Sequence, residues 1–158
     1  RDAGGPPLYV VGIGARYAGD DAPRRALEAV PAGAARLVLM HNPDSFVEIP
    51  AGAAPVAIAG HTHGGQVRLP LVSRWFWLHY KGRSRLPRAG WITGNDGAPG
   101  NALYVNRGIG FSRWPIRFNA RPELTYLTLE TASSSTTGAG APPVVSRGRR
   151  PSRRRCRR

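Results

Sequence analysis

Ala54-Pro55-Val56-Ala57-Ile58-Ala59-Gly60-His61-Thr62-His63-Gly64-Gly65-Gln66 is a short apolar run that passes without a break into a turn rich in histidine and glycine. A run of this length, with β-branched residues and Pro near its start, suits a buried strand. A second segment is built the same way: Arg36-Leu37-Val38-Leu39-Met40 runs directly into His41-Asn42-Pro43-Asp44. Two strands that each deliver a histidine predict an α/β sheet with its chemistry at one edge. In such sheets, functional groups collect where loops leave the C-terminal ends of the strands.

The flanking sequence extends the pattern. Leu8-Tyr9-Val10-Val11-Gly12-Ile13 reads as a first buried strand. A helix is expected over Ala22–Val30, capped by Asp21 or Asp20, with Pro23 in its first turn and Pro31 and Gly33 after its end. A short helix is expected through Val47. Gln66-Val67-Arg68-Leu69 reads as a further strand ending at Pro70, and Leu103-Tyr104-Val105 as another, with Gly108 and Gly110 marking a turn. Glu123–Leu129 alternates with period two and predicts a half-exposed strand. Residues 71–101 carry no clear period. Thr131 onward is mostly Ser, Thr, Gly, Ala, Pro and Arg with almost nothing to bury, so the expected division is a domain over 1–130 and a disordered Arg-rich tail over 131–158.

Length and composition set bounds. The 158 residues fit one domain. No apolar run approaches the roughly 18 residues of a membrane-spanning helix, and no signal peptide is visible. The chain opens on Arg1 and its only Met is Met40, so the expectation is an N-terminus that is processed or lacks a preceding part. The formal net charge of +14 is uneven: all nine acids lie between Asp2 and Glu130, while eight of 23 basic residues lie beyond residue 131. The mildly basic body suits an anionic substrate without identifying one. The single cysteine, Cys156, excludes an internal disulfide and a Cys-based metal cluster.

The chemistry-bearing residues are therefore His41, His61 and His63. Most single histidines at strand ends are hydrogen-bonded surface residues. A His-x-His pair after an apolar strand, joined by a histidine from a second strand end, points instead to metal ligation. In an extended segment His61 and His63 would project to one side; in a tight loop they can straddle two cations. Gly60, Gly64 and Gly65 remove side chains that would crowd such a site. Neutral imidazole suits Zn, Mn and Fe.

Gly60–Gln66 resembles the last metal-binding motif of the calcineurin-like metallophosphoesterases, in the GHTHGGQ form of a bacterial branch of membrane- or wall-associated phosphodiesterases. Leu39–Asp44 is similar to the family's preceding His motif. Tyr104–Gly110, Pro115–Phe118 and Arg121–Leu124 look like that branch's closing segments. The resemblance covers about residues 8–130. It implies the C-terminal half of a four-layer α/β/β/α sandwich, two divalent metal ions (Mn, Fe or Zn), and a metal-activated hydroxide that attacks phosphorus. It places His41 and His61 on one metal and His63 on the other, and makes Arg107 and Arg117 candidate contacts to substrate oxygens. The family's Asp-x-His, Gly-Asp-x-x-Asp and Gly-Asn-His-Asp/Glu motifs do not occur in this chain. Gly19-Asp20-Asp21 and Gly94-Asn95-Asp96 match them only in part, the first with Pro23 where a second Asp should stand. The N-terminal half of the domain is thus an expected partner, and the chain alone is expected to be inactive.

Related enzymes act on lipid-linked nucleotide-sugar phosphoesters such as UDP-2,3-diacylglucosamine, so the resemblance implies a phosphoester substrate and a bacterial cytoplasmic or peripheral-membrane setting. Trp75-Phe76-Trp77 and Tyr80, near Arg74, Lys81, Arg83 and Arg85, read either as core or lid packing or as an interfacial patch for an anionic membrane. The rival reading of the whole is a non-catalytic basic module for anionic membrane or nucleic acid, although nucleic acid is not the expected partner. The Arg-rich tail is read as an extension without a binding role, so deletion of residues 131–158 should leave retention on heparin unchanged. A clear loss of retention would assign the tail an electrostatic function.

Overall fold

The computed structural model describes residues 5–69, 86–87 and 89–129. Five strands form one mixed sheet: β1 (Tyr9–Ile13), β2 (Arg36–Met40), β3 (Ala57–Ala59), β4 (Gly90–Ile92) and β5 (Leu103–Val105). The spatial order is β1-β2-β3-β5-β4. β1, β2, β3 and β5 are mutually parallel, and β4 returns antiparallel along β5. One helix, α1 (Pro23–Glu28), and a 3-10 segment over Pro43–Glu48 pack beside them. The α/β expectation holds.

The sheet buries one face. Val11, Ile13, Val38, Met40, Ala57, Ala59, Ile92, Leu103 and Val105 form the core there, with Leu27 of α1 and Phe46 and Ile49 of the 3-10 segment. Phe46 is fully enclosed. Its ring rests on Gly97, where a Cβ would come within 2.3 Å of Cε1, so the loop before β5 requires glycine at that point. The opposite face carries the alternate residues. Gly12, Leu39, Ile58, Tyr104 and Trp91 stand side by side across all five strands by register. Val10 is 60% exposed and Leu39 40% exposed, so this second face is open at β1 and β2, while Tyr104 of β5 is half-buried against Glu123 and Thr125.

Several expectations are corrected. The helix is shorter than Ala22–Val30, and its N-cap is Ala22, with no side-chain cap. Asp21 accepts from Ser45 Oγ at 3.2 Å and lies 3.6 Å from Arg16 Nε, so its carboxylate is used elsewhere. Gln66–Leu69 is not a strand. The chain leaves the His turn through Gln66 at φ 47°, and Val67 makes only an isolated parallel bridge with Phe118. Residues 123–128 show the period-two burial, which ends at exposed Leu129, and 123–129 form no ladder with another strand among the described residues; Leu124 and Tyr126 face outward, almost fully exposed. β4 went unrecognised because Gly90 and the mixed sequence around it hide the strand. The Trp75–Tyr80 cluster, its neighbouring basic residues and the 131–158 tail lie outside the described residues.

Two polar knots hold the connections. Buried Asn101 accepts from Ala54 N–H at 2.9 Å and donates to the carbonyls of Ile49 and Pro50 at 3.3 and 2.9 Å. It thereby fixes the loop that feeds β3 against the residues that feed β5. The second knot ties residues 121–125 to β5. Glu123 accepts from Arg107 Nε at 2.5 Å, from Thr125 Oγ1 at 2.9 Å and from the Tyr104 hydroxyl, while Asn106 donates to Thr125 at 2.8 Å. Burial opposes the charge on Glu123, but the bonds from Tyr104, Arg107 and Thr125 outweigh it and hold the carboxyl at about 2, against an ordinary 4.5. Burial raises the Tyr104 phenol, and its hydrogen bond to Glu123 raises it further.

Asn101→Asp would turn an oxygen toward two carbonyls and should destabilise the 158-residue chain by about 2 kcal/mol, read as a lower urea midpoint at pH 7. The Glu123 knot predicts a pH dependence. Its contribution, on the order of 2 kcal/mol, is fully present above the ordinary carboxyl pKa and is lost as pH falls from about 4.5 through about 2. Glu123→Gln should therefore unfold more easily than the parent at pH 7 and match it near pH 2. A stability gap that does not close on acidification contradicts this assignment.

Candidate metal site at the strand ends

The register of the parallel strands sets the site. Met40 pairs with Ala59, so the residues that follow β2 and β3 leave the sheet side by side. His41 and His61 meet there. His41 Nε2 and His61 Nδ1 lie 2.9 Å apart, and the ring centroids are 4.6 Å apart with an interplanar angle of 59°. Two neutral imidazoles at this distance share one proton, with one nitrogen donating and the other accepting. A divalent cation placed between them would take both lone pairs.

The loop that carries His61 is strongly bent. His61, His63, Gly64, Gly65 and Gln66 all have positive φ: 65°, 49°, 61°, 84° and 47°. Glycine adopts this region freely, but the three other residues each cost about 1 kcal/mol or more. The segment is thus the tight-loop alternative, and the extended arrangement of His61 and His63 does not occur. Local bonds hold it: Gly64 N–H donates to Thr62 Oγ1 at 3.2 Å and Gly65 N–H to the Thr62 carbonyl at 2.8 Å.

His63 is turned to a different neighbourhood. Its Nδ1 lies 3.2 Å from the Gly110 carbonyl, which can only accept, so Nδ1 carries the proton. Nε2 then holds the lone pair, and Ser112 Oγ–H donates to it at 3.2 Å. Such a carbonyl partner fixes tautomer and ring orientation, the usual preparation of a metal-ligating imidazole. Among the described residues, no three His, Cys, Asp or Glu side chains converge closely enough to enclose a cation. The donors therefore fit divalent metal chemistry as a partial set, a pair of nitrogens at one point and a prepared nitrogen at another.

The two arginines singled out from sequence brace this loop. The stem of Arg107 packs on Gly64, where a Cβ would come within 2.6 Å of Cγ, and its Nε is engaged by Glu123. Arg117 directs its guanidinium at backbone carbonyls, including that of His63 at 2.8 Å. Gln66 donates to the carbonyls of Ser112 and Trp114 and accepts from Ser112 N–H at 2.7 Å. The glutamine of the motif is therefore the staple between the His loop and residues 112–114.

Sequence reasoning missed Tyr17. It sits on a 3-10 turn after β1, largely exposed, with its ring edge-on to His41 at 5.7 Å and 82°. The Asn42 side chain holds that turn by accepting from Arg16 N–H at 3.0 Å. No local signal marks Tyr17, because its place depends on the β1–β2 pairing.

Comparison with known proteins gives the same direction. No family model matches the chain, and no solved structure matches it. The phosphodiesterase YaeI of Escherichia coli is 37% identical over 120 residues, 76% of this chain and 40% of the relative. The metallophosphoesterase YkuE of Bacillus subtilis is 33% identical over 99 residues, 61% of this chain and 32% of the relative. The UDP-2,3-diacylglucosamine pyrophosphatase LpxG of Chlamydia trachomatis is 30% identical over 125 residues, 74% of this chain and 36% of the relative. The chain spans two fifths or less of the length of these relatives. Their shared chemistry, together with histidines gathered at the ends of parallel strands, leads to one conclusion: the chain belongs to the calcineurin-like metallophosphoesterases.

Proposed function

We propose that this chain supplies one wall of a metal-dependent phosphoesterase site, with His41 and His61 as ligands of one divalent cation and His63 as a ligand of a second. The observation that carries the reading is the meeting of His41 Nε2 and His61 Nδ1 at the ends of adjacent parallel strands. Imidazole donors suit Mn, Fe or Zn. Bound divalent cations would supply Lewis-acid stabilisation of the charge that develops on phosphoryl oxygens.

The chain's own residues hold and orient. His41 and His61 present two nitrogens at a single point. The Gly110 carbonyl keeps the His63 proton on Nδ1, so Nε2 carries the lone pair that a cation would take in place of the Ser112 hydroxyl. Gly60 adds no side chain immediately before His61, and the space a Cβ would enter there is open. Arg107, half-buried and anchored through Nε, is the candidate for a contact to a substrate oxygen. The substrate in this proposal is a phosphoester, and the relative named as a UDP-2,3-diacylglucosamine pyrophosphatase makes a lipid-linked nucleotide-sugar phosphoester the favoured class. A cytoplasmic or peripheral-membrane setting in a bacterium, against an anionic lipid surface, belongs to the same proposal.

The described residues contribute nitrogen ligands but no carboxylate that joins them. The uncovered sheet face suits a further layer of the same domain, and we assign the remaining ligands to that layer. The chain on its own should then bind Zn2+ measurably yet show negligible Mn-dependent hydrolysis of bis-p-nitrophenyl phosphate. In titrations against a chromophoric chelator, His41→Ala and His61→Ala should each weaken Zn2+ binding by about tenfold or more. Unchanged affinity in both variants, or clear turnover by the unaltered chain, would contradict the reading.

A further inference from the structure

Arg117 is placed unlike a substrate-binding arginine. A guanidinium has five N–H donors, and in Arg117 all five are used on backbone carbonyls. Nε donates to Ala120 at 2.8 Å. Nη1 donates to Gly108 at 3.2 Å and to Gly110. Nη2 donates to His63 at 2.8 Å and to Arg107 at 2.9 Å. No donor of the fork remains for a phosphoryl oxygen.

The five carbonyls belong to three stretches of chain: the His63 turn, the loop at 107–110, and the end of the 117–120 turn. Two of them act directly on His63. One is the carbonyl of His63 itself. The other is the Gly110 carbonyl, which also receives the His63 Nδ1 proton. The turn needs such support, because His63 and Gln66 sit at positive φ, a conformation that persists only where the surroundings over-determine it. The neighbouring pairing of Phe118 N–H with the Gln66 carbonyl at 2.8 Å, and of Arg68 N–H with the Phe118 carbonyl at 2.9 Å, brings Arg117 to this position.

We propose that Arg117 is a positioning residue that clamps the His63 turn and aims its Nε2, acting through the backbone and not by contact with substrate. The inference deepens the proposed metal site and rests on it only for its second readout. Lysine cannot replace the clamp, since one ammonium has three donors and no planar fork.

The test uses the 158-residue chain and the variants Arg117→Lys and Arg117→Gln. In the metal-free chain, amide hydrogen exchange should show lost protection at Gly65 and Gln66, with β1–β3 protected as in the parent. With added Zn2+, affinity should fall about tenfold or more in Arg117→Gln and by a smaller factor in Arg117→Lys. Parent-like exchange in the turn overturns the clamp. So does a variant that loses only affinity for inorganic phosphate, which is the result expected of a substrate contact. Global loss of protection in both variants also overturns it, because it would make Arg117 a determinant of the whole fold. Failure of the parent chain to bind Zn2+ counts against the metal site alone, and the exchange measurement still decides the clamp.

Discussion

The parallel register between β2 and β3 is the constraint on which the site depends. Met40 stands beside Ala59, with both side chains in the core. A slip of one residue would send every side chain of the moved strand to the other face. The core set of Val38, Met40, Ala57 and Ala59 forbids that slip, because it would expose them and bury their half-exposed neighbours. The histidines that follow are therefore positioned by apolar packing one residue before His41 and two before His61. Asn101 secures the next pairing in the sheet, by fixing the entry to β3 against the entry to β5.

Beyond the strand ends, order comes from polar bonds. The His61–Gln66 turn contains three non-glycine residues at positive φ and buries little apolar surface of its own. Its conformation is maintained by partners distant in sequence: the Gly110 carbonyl and Ser112 hydroxyl on the His63 ring, the Gln66 amide on residues 112–114, and the Arg107 stem on Gly64. These interactions are mutual, so the turn and the 107–118 segment order each other. The strain stays local, confined to the turn that carries His61 and His63.

The sheet was legible because its signals are local. Apolar runs bounded by Pro and Gly located β1, β2, β3 and β5, and β2 within its observed limits. The histidines were legible because each follows such a run. The rest depended on tertiary placement. Gln66–Leu69 has strand composition, but the left-handed Gln66 aims it away from a ladder. Glu123–Leu129 has the period of a strand, yet a strand is defined by its partner, and a single chain's alternation cannot supply one. The roles of Arg117 and Tyr17 were equally hidden. An arginine reads the same in sequence whether its fork meets a phosphate or five carbonyls, and Tyr17 reaches His41 only through the β1–β2 pairing.

The second face of the sheet closes the argument about what surrounds the site. Parallel sheets occur almost only with both faces covered, and their strands are accordingly apolar throughout. β1 and β2 follow that rule in sequence: Val10, Leu37 and Leu39 occupy outward positions where a solvated face would carry polar residues. The row from Leu39 through Ile58 and Tyr104 to Trp91 continues this apolar character across the sheet. Trp91 stacks at a tilt on Tyr104, and both are half-buried, whereas Val10 and Leu39 on the same face are exposed. The apolar sequence of β1 and β2 therefore exceeds what the described packing uses, and the excess lies at the outward positions of Val10 and Leu39.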